Sequence, residues 1–308
     1  MAPCVPAGGQ GRCTHLTEPS VSHADVPILK VEHLSYRYPT GQTALCDVSF
    51  KIGMHEVVGL VGPNGAGKTT LLLHLNGLLM GRRLATQGGE TASIAAGVSQ
   101  PGGAKFAAAN GQGGNFVPIE VLGMPVIPEN FPEVRRIVGV LFQDPDDQLF
   151  CPTVGDDVAF GPLNLDFPRD EVLRRVGAAL AAVGMSGFED RSPCQLSFGE
   201  KRRVCLAGVL ACEPNLLALD EPSSNLDPRA RRGLIEILRN CPAAQLIASH
   251  DLELVAEQCS RVIVLDQGRI QADGPAREIL ADEKLMARHG LEVPLSIQYG
   301  LEIGNRPG

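Results

Sequence analysis

The segment Gly62-Pro63-Asn64-Gly65-Ala66-Gly67-Lys68-Thr69-Thr70 constrains this chain more than any other feature. It fits G-x-x-x-x-G-K-[ST] at every fixed position. It stands between the continuous apolar run Val57-Val58-Gly59-Leu60-Val61 and the helix-period stretch TTLLLHLNGLL, residues 69–79. Glycines open backbone shapes closed to other residues, so successive N–H groups can face a polyphosphate, and the helix N-terminus adds positive potential. In such a loop Lys68 reaches the β- and γ-phosphates, Thr69 the Mg²⁺ and Thr70 the α-phosphate side. A nucleotide is the expected ligand. The class of nucleotide-binding protein stays open at this point.

Leu216-Leu217-Ala218-Leu219-Asp220-Glu221 is an apolar strand ending in two carboxylates. Beside a phosphate loop, Asp220 is suited to hold Mg²⁺ through water, and Glu221 to orient and polarise an attacking water. Without that loop, a solvated acidic turn would explain the pair. His250 ends a second apolar strand, QLIAS, and Gln143 follows a third, VGVLF. Strand carboxyl ends form the edge at which α/β sheets bind ligands, although a lone His there is more often structural.

Charge narrows the classes of partner. Against 35 Asp+Glu stand 27 Lys+Arg, a net charge of −8, which leaves no cation excess to neutralise nucleic-acid phosphates. No nucleic-acid partner is expected. No apolar run approaches the roughly 20 residues of a spanning helix, so any membrane role has to pass through a partner. Nine cysteines, scattered and without a C-x-x-C pair, argue against a disulfide framework and against a zinc site. Met1 is not followed by the apolar core of a secretion leader, so a reducing cytosol is expected.

Residues 1–25, rich in Pro, Gly and Ser, predict a flexible N-terminal extension. ILKVEHLSYRY and ALCDVSFKI partly alternate and predict strands. The Gly/Ala-rich stretch 81–114 breaks the pattern and predicts an inserted loop or linker. NFVPIEVLGMPV and VRRIVGVLFQ return to strand character. FPRDEVLRRVGAALAAVG predicts a helix from Pro168 to a stop at Gly184, within a helical lobe. Another helix, EKRRVCLAGVLACEP, follows, and strands then alternate with helices to about residue 281. Apolar strands alternating with helices predict an α/β fold with a mainly parallel sheet.

Taken in order, with Leu196-Ser197-Phe198-Gly199-Glu200 ahead of Asp220, these motifs resemble the ATP-binding subunit of an ABC transporter over about residues 28–281. LSFGE resembles the LSGGQ signature of that family. The resemblance implies a P-loop NTPase core with an N-terminal antiparallel β subdomain and a helical subdomain at 144–200. The ATPase domain would span 26–281, followed by a C-terminal tail at 282–308. It implies ATP and Mg²⁺, with Thr69, Gln143 and Asp220 toward the cation. Lys68, Gln143, Glu221 and His250 would carry hydrolysis, Gln143 as the Q-loop residue and His250 as the switch histidine at the γ-phosphate. Ser224-Asn225-Leu226-Asp227 resembles the D-loop. Tyr38 matches the aromatic that stacks on adenine, with Tyr36 as the alternate.

Ser197 and Gly199, with Glu200 beside them, would hold the γ-phosphate of ATP bound to the opposite subunit of a dimer. Phe198 stands where the family has glycine, and a side chain there restricts the backbone and adds bulk. Glu200 for glutamine is a milder departure. Gln143-Asp144-Pro145-Asp146-Asp147-Gln148-Leu149-Phe150 and Asp157-Val158-Ala159-Phe160-Gly161-Pro162 resemble the ATPases of energy-coupling factor importers, which take up cobalt, nickel or vitamins. That finer resemblance implies a transmembrane coupling subunit docked after Gln143 and a substrate-binding membrane subunit. It also implies a homodimer or a heterodimer with a second ABC ATPase, peripheral on the cytoplasmic side of the cell membrane. Two alternatives remain: a soluble ABC-type ATPase, and an ATP-binding regulatory protein without a transport partner.

Overall fold

An apolar run without polar alternation can be a strand only where both of its faces are covered. In the computed structural model, which describes residues 26–79 and 117–300, β3 (Val57–Val61), β7 (Leu216–Asp220) and β8 (Ala244–Ala248) are buried at every residue. They pair in parallel with one another or with β6 (Val138–Leu141) and β9 (Arg261–Asp266), and β10 (Arg269–Pro275) adds an antiparallel edge. The strand order is β10-β9-β3-β8-β7-β6.

Because successive side chains leave a strand on opposite faces, this sheet divides two cores. Val58, Leu60 and Ala218 pack toward an antiparallel sheet and toward α1 (Lys68–Leu75). That second sheet runs β2-β1-β4-β5, from β1 (Leu29–Arg37), β2 (Thr43–Ile52), β4 (Ile119–Val121) and β5 (Met124–Pro125). Val57, Val61, Leu217 and Leu219 pack on the other face, toward a helical unit of α3 (Val154–Asn164), α4 (Arg169–Ala182) and α5 (Phe198–Leu210). Further helices α6 (Pro228–Asn240), α7 (Leu252–Gln258) and α8 (Ala276–Ala281) cover the same side. The α/β class, the mainly parallel sheet, the antiparallel unit and the helical unit are all present as expected.

Three expectations need correction. VRRI is not strand: α2 (Phe131–Ile137) takes Val134, Arg135 and Arg136, and β6 begins only at Val138. Pro132 in its first turn and apolar residues three apart at Val134 and Ile137 favour that helix. The helix after the phosphate loop stops at Leu75, because Asn76-Gly77 ends it, with Gly77 at φ 75°. The segment from 282 is no plain tail, since α9 (Glu283–Arg288) and α10 (Leu295–Gln298) fold back, Met286 is buried, and the Ser296 N–H reaches Glu253 at 3.3 Å. The expected N-terminal extension 1–25 and the insertion 81–114 lie outside the described residues.

Candidate nucleotide site

The carboxyl ends of β3, β6, β7 and β8 share one edge of the parallel sheet, and a cleft of about 1000 Å³ opens there. Its walls include Tyr38, the whole loop Gly62–Thr70, Gln143, Asp220, Glu221 and His250. The loop can take its shape only with glycine at two points. Gly62 has φ 155° and lies so close to the Leu265 carbonyl that a Cβ would overlap it. Gly67 has φ 107°, and a Cβ there would meet the Ala44 carbonyl. Lys68 Nζ folds over this cradle and donates to the Gly62 carbonyl at 2.7 Å and to that of Pro63 at 3.2 Å. Burial lowers the Lys68 pKa from its ordinary value, against the opposing pull of Glu221 and Asp220.

Asp220 is 4% exposed. Burial pushes its carboxyl above the usual carboxylate range, although Thr69 and Lys68 pull the other way. Among the described residues nothing donates a hydrogen bond to its Oδ1. A buried carboxylate oxygen without a donor, beside a threonine hydroxyl, fits a hard divalent cation bound through oxygen. Glu221 follows with φ 46°, and its N–H is held by the Ala248 carbonyl at 2.8 Å. Its carboxylate accepts from Ser249 Oγ at 3.2 Å and from the His250 N–H at 3.1 Å, and it lies 2.7 Å from His250 Nδ1. Glu221 is thus fixed by the end of the neighbouring strand, while the His250 ring is mostly open to the cleft.

Of the two tyrosines, Tyr38 lines the cleft and Tyr36 stands behind it. The rings meet edge to face at 5.0 Å, and Tyr36 meets His74 likewise at 4.7 Å. Tyr38 Oη and Thr70 Oγ1 are 2.8 Å apart, which ties the aromatic to the phosphate loop.

Ser197, Gly199 and Glu200 do not line this cleft. They form the N-terminus of α5, where the Ser197 N–H donates to Glu200 Oε2 at 2.8 Å and the Glu200 N–H approaches Ser197 Oγ at 3.4 Å, a capping box. The turn packs against the Ser224–Asp227 segment and α6, with the Gly199 backbone facing Leu226 and Ala230. Phe198 is the first helical residue of α5 and has no positive φ. Its backbone therefore needs no glycine, and the restriction expected from its side chain does not arise.

Two features escaped the sequence reading. Arg202 is 1% exposed, and it serves the ends of β6 and β7 with its whole guanidinium. The signal was present: Arg202, Cys205, Leu206 and Val209 follow the i, i+3, i+4, i+7 spacing of a buried helix face. The second is the C-terminal segment, of which Gly290–Leu295 and Gln298 line the cleft near His250. Its few apolar residues carry no period that would announce it.

Loop, paired carboxylates and histidine on one sheet edge define a P-loop ATPase. A family model described as ABC transporter matches residues 45–224. A Gloeobacter violaceus protein, provisionally named an ABC transporter ATP-binding protein, is 47% identical over 271 residues, covering 87% of this chain and 98% of the relative. The energy-coupling factor transporter ATP-binding protein EcfA of Methanothermobacter thermautotrophicus is 40% identical over 270 residues, covering 87% and 77%. Among solved structures, CbiO1 of Clostridium perfringens, described as part of the ABC transporter complex CbiONQ, superposes with a TM-score of 0.65 at 32% identity, covering 90% of this chain and 99% of that one. The chain belongs to the ATP-binding subunits of ABC transporters, and it is an ATPase of that class.

Proposed function

We propose that this ATPase energises a membrane importer of the energy-coupling factor type, whose cargo is a cobalt or nickel ion or a vitamin-type micronutrient. The carrying observation is the convergence of Lys68, Asp220, Glu221 and His250 on one cleft. Lys68 and the loop N–H groups bind the β- and γ-phosphates, Tyr38 stacks on adenine, and Glu221 takes the proton of the attacking water. His250 contacts the γ-phosphate and shares the Glu221 carboxylate. Thr69, Asp220 and Gln143 would hold Mg²⁺, which supplies neutralisation of phosphate charge when bound.

Ser197, Gly199 and Glu200 do not line the cleft of their own chain, which supports a ligand held by another subunit. ATP on Lys68 of one protomer meets Ser197 and Gly199 of a second copy or of a related ATPase. Hydrolysis removes the group that joins them, and the pair opens. The membrane partner docks on the segment after Gln143, where Phe150 is 64% exposed against Phe160 at 47% and Leu163 at 54%. No helix among the described residues is long and apolar enough to cross a membrane, which suits a peripheral subunit on the cytoplasmic face. Support for the importer class comes from the EcfA and CbiO relatives.

Mg²⁺-dependent ATP turnover by the purified chain, and cargo uptake when it is reconstituted with its membrane subunits, test the proposal. Turnover with no membrane partner at all would favour the soluble ATPase reading. ATP binding without turnover would favour a regulatory role.

A further inference from the structure

An arginine has five N–H donors, and a buried one must place them all. Arg202 places them on five main-chain carbonyls and on no carboxylate. Nε donates to Pro222 at 3.2 Å, Nη1 to Phe142 and to Gln143 at 2.8 Å, and Nη2 to Glu221 and to Asp220 at 3.5 Å. These carbonyls lie at the tip of β7 and just beyond the tips of β6 and β7, where the ladder that pairs Leu141 with Leu219 has run out. No strand is left to satisfy them. The guanidinium replaces the missing sheet and fixes the peptides that carry Gln143 and Glu221.

Arg202 is also joined to the signature turn by one helix. It lies five residues after Ser197, which caps the N-terminus of that 13-residue helix. Two more links join that helix to the Gln143 segment. Gln148 bridges the Phe142 N–H and the Cys205 carbonyl, both at 3.3 Å, and Lys201 meets Asp146 at 2.6 Å. A displacement of α5 that follows capture of a γ-phosphate at Ser197 therefore reaches the Glu221 peptide through one side chain.

We infer that Arg202 is the positioning residue that couples the two nucleotide sites of a dimer: ATP held in trans at Ser197 sets, through Arg202, the Glu221 of the protomer that supplies Ser197. The inference rests on the proposed dimeric ATPase. It makes turnover at each site depend on occupancy of the other, because the helix that closes on the neighbour's nucleotide is pinned to its own catalytic carboxylate. Arg202 touches no substrate, and its effect falls on rate and cooperativity rather than on ATP affinity.

The test compares the full-length chain with Arg202→Met and Arg202→Lys by ATP titration of steady-state turnover, nucleotide binding and thermal melting. The parent is expected to show a Hill coefficient between one and about two. In Arg202→Met, kcat falls roughly tenfold or more and the Hill coefficient drops to about one, while ATP affinity stays within about twofold. Arg202→Lys, with three donors for five carbonyls, falls between. Arg202→Met that melts like the parent and keeps its kcat and Hill coefficient overturns the inference, as does a loss confined to ATP affinity or a non-cooperative parent. Should Arg202→Met fail to fold, Arg202→Lys decides: parental kcat and cooperativity overturn the inference. A parent that binds no ATP refutes instead the nucleotide assignment beneath it.

Discussion

Replacing Glu221 by glutamine separates catalysis from binding in this cleft. Glu221 is buried, and its carboxylate accepts from Ser249 Oγ, the His250 N–H and the His250 ring. A glutamine of the same shape keeps one oxygen to accept from the His250 N–H and puts an N–H₂ at the other position, where it can donate to Ser249 Oγ or to the His250 ring, which is 62% exposed. Stability should therefore change by no more than about 1 kcal/mol. The phosphate contacts of Lys68 and the loop are untouched, so ATP should bind as before. What disappears is a group able to accept the proton of the attacking water. General-base catalysis contributes roughly 100- to 10,000-fold, or ~3–5 kcal/mol of barrier. Turnover is measured by phosphate release, binding by nucleotide titration, and association by sedimentation with ATP. The expected variant melts normally, binds ATP, accumulates as a dimer and turns over at least ~100-fold more slowly. Turnover within about threefold of the parent would refute the role given to Glu221.

Other substitutions probe separate parts of the site. Tyr38→Ala should raise the KM for ATP by roughly five- to a hundredfold, as expected for ~1–3 kcal/mol of base stacking, whereas Tyr38→Phe loses only the Thr70 contact and should stay near the parent. Phe198→Gly should not raise turnover and should lower stability by about 1 kcal/mol in thermal melts, because the position is already helical. For Asp251, burial works to raise the carboxyl, but bonds from Arg231 and the Leu254 N–H outweigh it and hold its pKa below the ordinary 3.8. A depressed folded pKa adds stability above the ordinary value, and that stability is lost as pH falls through the folded one. Asp251→Asn should therefore cost about 1–3 kcal/mol at neutral pH, and the gap to the parent in denaturant melts should shrink below pH 3.8.

Much of the cleft was legible because its chemistry is local. The residues of Gly62–Thr70 adjoin in sequence, and their glycines are dictated by backbone shape at Gly62 and Gly67. Asp220, His250 and Gln143 were found because short apolar strands announce their own carboxyl ends. What escaped depends on contacts distant in sequence. The spacing of α5 puts Arg202 on its buried face, but only packing shows that its charge is spent on carbonyls up to 60 residues away. The C-terminal segment reaches the cleft through packing on α7 and α8, which no short-range pattern encodes. The strand assigned to VRRI failed because a short apolar run does not distinguish helix from strand, and a proline in the first turn decided it. At Phe198 only the backbone part of the expectation is answered, since a glycine in a family motif need not occupy a position that requires one.

The decisive measurement is ATP-dependent dimerisation by sedimentation in the Glu221→Gln background, for chains that also carry Lys68→Ala, for chains that also carry Ser197→Ala, and for their mixture. A nucleotide shared between protomers requires the phosphate loop of one and the signature turn of the other. Neither variant alone should associate with ATP, and the mixture should, since each mixed pair contains one complete site. If either variant dimerises alone as readily as the parent, or if mixing restores nothing, ATP is not clamped between Lys68 and Ser197.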